Sequence, residues 1–140
     1  MRYLDSSVLA KPFLEESGAD TVRRWLAEPG CVTSRLSLVE VASAIRRKVR
    51  ERALSAEAAG KQLDDLDQMA QSLDLNDLTQ AVVERSWAVL ARHPLRAGDA
   101  VQLSSALVLR VSARANFWFA CTDDRLAAAA AAEGLVVERP

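Results

Sequence analysis

Five short apolar segments punctuate the chain: RYL at 2–4, CVTS at 31–34, LDLN at 73–76, NFWFAC at 116–121 and LVVE at 135–138. Helical stretches stand between them, and strands alternating with helices are the pattern of a parallel sheet covered by helices. NFWFAC is apolar almost throughout, as a strand buried on both faces should be. Hydrophobic spacing places helices near 7–15, 19–28, 37–52, 56–72, 79–92, 99–114 and 124–133. The stretch 56–72 mixes charges with Leu63, Leu66, Met69 and Ala70 at helical spacing, which suits one arm of a helical hairpin. The alanine run at 127–132 joins high helix propensity to small side chains and reads as a place of close helix packing.

With 140 residues the chain is the size of one ordinary domain, and a single domain over 1–140 is expected. Hydrophobic residues at 50% and charged residues at 26% describe a globular chain rather than a disordered one. No apolar run nears the roughly 18 residues of a membrane span, and MRYLDSS lacks a signal-peptide core, so no membrane contact and a cytoplasmic location are expected. Cys31 and Cys121 are isolated in apolar settings without metal spacing and read as buried free thiols. A net charge of −1 and a pI near 5.9 provide no global attraction for nucleic acid, so such binding needs a local basic surface.

Acids recur where elements meet. Asp5 stands between the first strand and the first helix; Glu40 lies in SRLSLVEVASAI after CVTS; Asp99 opens AGDAVQLSSALVL; Asp123 follows NFWFACT. Taken singly, each is well explained as a helix cap or a first-turn acid favoured by the helix dipole. Ser37 and Glu40 even have capping-box spacing, and Glu40 lies opposite the stripe of Leu38, Ala42, Ile45 and Val49, so it need not be buried.

Taken together they point elsewhere, because an open parallel sheet brings the carboxyl ends of its strands to one edge, where ligands bind. Two carboxylates about 4 Å apart repel by roughly 4 kcal/mol at an effective dielectric near 20, so three would oppose folding by on the order of 10 kcal/mol. The acids must then be further apart, or hold protons, or enclose a cation. An all-oxygen donor set without His or Cys selects a hard divalent ion, Mg²⁺ or Mn²⁺, which can activate water and neutralise charge on a phosphodiester.

The segments YLDSSVLAKPF, SRLSLVEVASAIRR, RAGDAVQLSSAL and CTDDRLAAAAAAEGL, in that order, resemble the PIN-domain family, and within it the VapC-type ribonuclease toxins of toxin–antitoxin pairs. The resemblance spans essentially the whole chain. It implies a three-layer α/β/α sandwich with a central, mainly parallel sheet of about five strands. It also implies that Asp5, Glu40, Asp99 and Asp123 form an acidic catalytic site. Asp5 and Asp99 would be direct or water-mediated ligands of Mg²⁺ or Mn²⁺, with Glu40 and Asp123 completing the pocket. Ser7 matches a hydroxyl that supports the first acid. The family often has a hydroxyl residue two positions before its last acid, a spacing that Thr122 and Asp124 satisfy; Asp123 is preferred for the fourth place because Asp124-Arg125-Leu126 continues the family's Asp-x-Arg-Leu register, with Thr122 and Asp124 in supporting parts.

The implied activity is metal-dependent hydrolysis of RNA, leaving a 5′-phosphate and a 3′-hydroxyl. An antitoxin of the VapB type that neutralises the enzyme and a homodimer are the implied partners. His93 has no Ser or Cys arrangement around it and reads as a helix-end residue. Among the cations near the acids, Arg47, seven residues on from Glu40, and Arg92 and Arg96, just before Asp99, are the candidates for phosphate contact, while the rest of the basic run at 46–52 reads as a solvated face. Trp25, Trp87 and Trp118 read as core or subunit-interface packing rather than base-stacking platforms. Two other readings stand beside this one. A phosphoryl-accepting receiver module would need an acid pair after its first strand and a late Lys, and no Lys follows Lys61. A non-catalytic PIN fold would serve as a binding module alone.

Overall fold

The computed structural model describes residues 1–113 and 116–140. Its strands are β1 (Arg2–Leu4), β2 (Cys31–Ser34), β3 (Asp74–Asn76), β4 (Trp118–Ala120) and β5 (Val136–Glu138). Its helices are α1 (Ser6–Leu9), α2 (Lys11–Leu14), α3 (Ala19–Ala27), α4 (Arg35–Arg50), α5 (Ala56–Ser72), α6 (Gln80–Arg92), α7 (Ala97–Ser112) and α8 (Asp124–Ala132). The strands pair in the order β3-β2-β1-β4-β5, and every pairing is parallel. Parallel neighbours cannot be joined by a hairpin, so each connection carries helices across a face of the sheet.

Strand periodicity sorts the core into two halves. Tyr3, Val32 and Phe119 lie in register across β1, β2 and β4 and pack with Val89, Leu103, Ala106, Leu126 and Ala130 from α6, α7 and α8. Leu4 and Ala120 point the other way, to Val8, Leu9, Val22, Val41, Ile45 and Leu66 from α1, α3, α4 and α5. The result is the expected sandwich of helices around a parallel sheet. The chain builds β1, β2 and β3 outward in one direction and then returns to add β4 on the other flank of β1. The sheet therefore changes direction between β1 and β4, and the crevice beyond their carboxyl ends is where such sheets hold ligands. This order also removes the receiver alternative, whose doubly wound sheet runs 2-1-3-4-5.

Several local expectations are corrected. The helix expected at 7–15 is two short helices meeting at Ala10, because Pro12 lacks an N–H and its ring would clash with a carbonyl four residues back. The helix expected from Ser37 begins at Arg35, capped by Ser34, whose Oγ accepts from the Leu36 amide at 3.2 Å. Ser37 is therefore an interior residue, fully buried, and forms no capping box with Glu40. Asp99 stands in the first turn of a helix that starts two residues earlier, at Ala97, and the last residue of the span 99–114 lies outside the described residues. The strand in NFWFAC is confined to 118–120. Cys31 and Cys121 are both buried free thiols.

The stretch 56–72 folds as α5 and packs Ala59 and Leu66 against the side of the core that α4 also covers. Trp25 is buried beneath the Arg2 guanidinium, 4.4 Å above its ring. Trp118 is only half-buried, and Trp87 is 67% exposed, so it does not belong to the core of this chain. Among the described residues no helix is long and apolar enough to cross a membrane.

Candidate active site

The first acid is set by the end of β1. The Asp5 amide donates to the Ala120 carbonyl at 2.9 Å, extending the β1–β4 ladder by one bond, and then the backbone turns into α1 with Asp5 as its N-cap. Its Oδ2 accepts from the Ser7 amide at 3.0 Å and from Ser7 Oγ at 2.5 Å. Ser7 Oγ accepts in turn from the Thr122 amide at 3.2 Å. One hydroxyl thus ties the carboxyl end of β1 to that of β4. Asp5 is 3% exposed, and burial pushes its carboxyl up to about 6, with the negative charges of Glu40 and Asp99 adding to the rise and the two bonds from Ser7 opposing it.

Asp99 projects from the first turn of α7, half-buried. Its carboxyl is also raised, mainly by burial; the Arg96 backbone amide opposes the shift, and the charges of Asp123 and Glu40 reinforce it. Asp123 is the N-cap of α8, with Oδ1 accepting from the Leu126 amide at 2.9 Å. It is exposed, and it serves as a cap and as part of the acidic field at once. Glu40 comes from inside α4 and, against expectation, leans onto α7. Its Oε2 accepts from Gln102 Nε2 at 2.7 Å, and its Oε1 lies over Gly98.

Asp5 therefore feels Glu40 and Asp99, and Asp99 feels Glu40 and Asp123, across four separate elements. Among the described residues none of these acids forms an ion pair. Two open concavities flank them. One, of about 270 Å³, is lined by Ser6, Ser7, Glu40, Arg47 and Thr122; the other, of about 370 Å³, by Leu95, Arg96, Asp99, Asp123 and Arg125. No three acids, cysteines or histidines among the described residues converge closely enough to chelate an ion unaided. Mg²⁺ keeps several waters and takes one or two carboxylates rather than a full protein cage, so Asp5 and Asp99 are the residues that could hold it. The donor chemistry, all oxygen and mostly negative, fits such an ion, with the Arg96 charge offsetting part of it at Asp99.

The remaining predicted residues separate. Arg47 and Arg96 are exposed, one at each concavity. Arg92 lines neither; it bonds Glu133 beyond the far end of α8, beside His93, the C-cap of α6, whose Nε2 lies 2.8 Å from the same carboxylate. Asp124 points to solvent, paired with Arg139 at 2.6 Å, and Arg139 also donates to the Thr122 carbonyl at 2.9 Å. Sequence reasoning passed over Gly98, Gln102 and Arg125. A glycine beside Asp99 and a lone amide in the apolar run VQL were the signals available.

The PIN domain family model matches residues 2–132. No curated protein is significantly similar to the chain. Among solved structures, VapC20 of Mycobacterium tuberculosis, described as a Sarcin-Ricin loop cleaving toxin, is 19% identical with a TM-score of 0.69, covering 100% of both chains. FitAcB from Neisseria gonorrhoeae is 16% identical with a TM-score of 0.73, over 98% of this chain and 96% of that one. DNA-bound VapBC from Salmonella typhimurium is 12% identical with a TM-score of 0.71, over 99% and 96% of the two chains. At these identities the likeness is one of fold. With a family match that leaves out only Met1 and the last eight residues, and a sheet whose change of direction carries the acids, this chain belongs to the PIN domain family.

Proposed function

We propose that the chain is a metal-dependent endoribonuclease toxin held in check by a cognate antitoxin. The observation that carries this reading is the buried Asp5 at the change of direction of the sheet, hydrogen-bonded by Ser7 but without an ion-pair partner among the described residues, and within the electrostatic reach of Glu40 and Asp99. Burying a charge without a partner is costly, and a cluster of such charges persists where a cation is to be bound. The folds shared with VapC20, a toxin, and with VapBC support the toxin and antitoxin parts of the reading.

Asp5 and Asp99 would hold Mg²⁺ or Mn²⁺, which when bound supplies Lewis acidity and an activated water for attack on a phosphodiester. Ser7 keeps the Asp5 carboxylate turned toward the crevice and locks it to the β4 end through the Thr122 amide. Glu40 and Asp123 add negative charge on either side of Asp99 and provide acceptors for the protons of ordered water. Arg47 and Arg96, standing at the two concavities, would receive the phosphates flanking the cut. For single strands each such contact contributes roughly −0.7 to the slope of log K against log salt. Replacing both arginines by Ala is expected to make that slope shallower by about 1.4, measured by RNA binding across a salt series. An unchanged slope would reassign the contacts.

The direct test is expression without a partner, wild type against Asp99→Asn, reading growth and the 5′-ends of cellular RNA. Wild type is expected to arrest growth and create new 5′-phosphate ends, and Asp99→Asn to do neither. Equal harmlessness with no new ends would leave a binding module instead.

A further inference from the structure

Asp5 and Asp123 are short side chains held as helix N-caps by backbone amides, and Asp99 is a short side chain in the first turn of α7. Glu40 is longer and springs from the interior of α4, so nothing in its own helix fixes where its carboxylate lies. The contacts that hold it come from α7. A Cβ built on Gly98 would lie 2.7 Å from Glu40 Oε1, so only a residue without a side chain leaves that oxygen its place. One turn further on, Gln102 donates to Oε2 at 2.7 Å.

The Gln102 amide is itself oriented from behind. It is 1% exposed, and its Oε1 accepts from Tyr3 Oη at 2.7 Å, while its Nε2 also donates to Ser37 Oγ at 2.9 Å. Ser37 lies 2.7 Å from Thr33 Oγ1, which reaches the Leu4 carbonyl at 2.6 Å. Every proton in this chain has an acceptor when Tyr3 donates to the amide oxygen, and that assignment leaves the amide nitrogen facing Glu40. Burial raises the Tyr3 hydroxyl far above its ordinary range, so Tyr3 stays a donor. Turned over, the amide would set its oxygen against a carboxylate.

We propose that Gly98 and Gln102 are positioning residues that together seat the Glu40 carboxylate beside Asp99, and that this seat sets metal affinity and turnover rather than RNA binding. The proposal rests on the ribonuclease reading and specifies how its site is built. Outer partners of this kind are worth about 10–100-fold in metal affinity or activity.

The two halves of the seat separate stability from positioning. Gly98 lies within α7, where no left-handed backbone demands glycine, and the atom a methyl would meet is the mobile end of a side chain. Gly98→Ala should therefore fold as well as wild type or better, since Ala favours helix, with Tm unchanged or raised by up to about 4 °C. Its Mn²⁺ affinity, measured by calorimetry without RNA, and its kcat should each fall about 10–100-fold, with KM for RNA within about twofold. Gln102→Met should show the same losses at a lower Tm, because it strands the Tyr3 and Ser37 hydroxyls. In a Glu40→Gln background neither substitution should reduce Mn²⁺ binding further, as residues acting through one group are not additive. Wild-type kcat and Mn²⁺ affinity in Gly98→Ala, or losses that add to those of Glu40→Gln, would overturn the seat alone. A wild-type protein that neither binds Mn²⁺ nor cleaves RNA, indistinguishable from Asp5→Asn, would overturn the ribonuclease reading and the seat with it.

Discussion

Asp5→Asn is expected to reduce RNA cleavage by ~10³-fold or more while making the metal-free protein more stable at neutral pH. Losing one charged group from a preorganised site costs about 10²–10³ in rate where the group only stabilises charge, and a group that also holds the cation costs more. Asn keeps the volume of Asp5 and one acceptor oxygen for the Ser7 amide and hydroxyl, so the β1–α1 junction should survive. What Asn lacks is the charge, and at 3% exposure that charge is a burden to the folded chain. Opposite signs in the two measurements, chemical denaturation and cleavage, distinguish a functional acid from a cap. A residue that is only a cap would show neither change, because Asn caps a helix about as well as Asp. An Asp5→Asn protein of unchanged stability that still cleaves RNA would return Asp5 to that role.

The stability of the metal-free wild type should fall as pH rises from about 4 to above 6, by about 3 kcal/mol through Asp5 alone. The sign follows from the direction of the shift. The folded carboxyl titrates at about 6 against 3.8 for the free group, so between those values the native state retains a proton that the unfolded chain has released. The stabilisation is complete below the lower value and is lost as pH passes through the upper one. Asp99 shifts the same way, whereas Glu133, lowered despite its burial by His93 and Arg92, runs opposite. Subtracting the Asp5→Asn curve from the wild-type curve in urea denaturation isolates the Asp5 part. Mn²⁺ or Mg²⁺ should restore stability above pH 6 and do little below pH 4, because cation and proton compete for the same oxygens. A difference curve that is flat, or that rises with pH, would show that Asp5 is not held in the environment described.

Legibility in the sequence followed the range of the interactions involved. Asp5 and Ser7 could be seen at a strand-to-helix junction because the cap, the hydroxyl and the turn lie within a few residues of one another. Asp123 was visible for the same reason, as the cap of an alanine-rich helix. For Glu40 only the local setting was misread. With the helix started at Ser37 it reads as the closing residue of a capping box that need not be buried, whereas Ser34 is the cap and Glu40 reaches across to α7. Arg92 stood as close to Asp99 in sequence as a contact would require, yet Glu133, 41 residues on, takes its guanidinium. Gln102 could not be singled out at all, since its partners Tyr3, Ser37 and Glu40 lie 99, 65 and 62 residues away.

Periodicity and composition by themselves determined that this chain makes short parallel strands sheathed in helices, because burying apolar side chains at a repeat of two or of 3.6 residues is a local requirement that each segment meets alone. They also determined that acids would stand near the ends of those segments, where caps are favoured. Only the tertiary structure decided that β4 would lie against β1, so that Asp5 and the Thr122 amide share one hydroxyl, and that α7 would offer Glu40 a bare glycine and a buried amide. Those arrangements depend on hydrogen bonds and charges between distant parts of the chain. Their partners acquire an address only when the sheet has closed its order and the helices have settled on its faces.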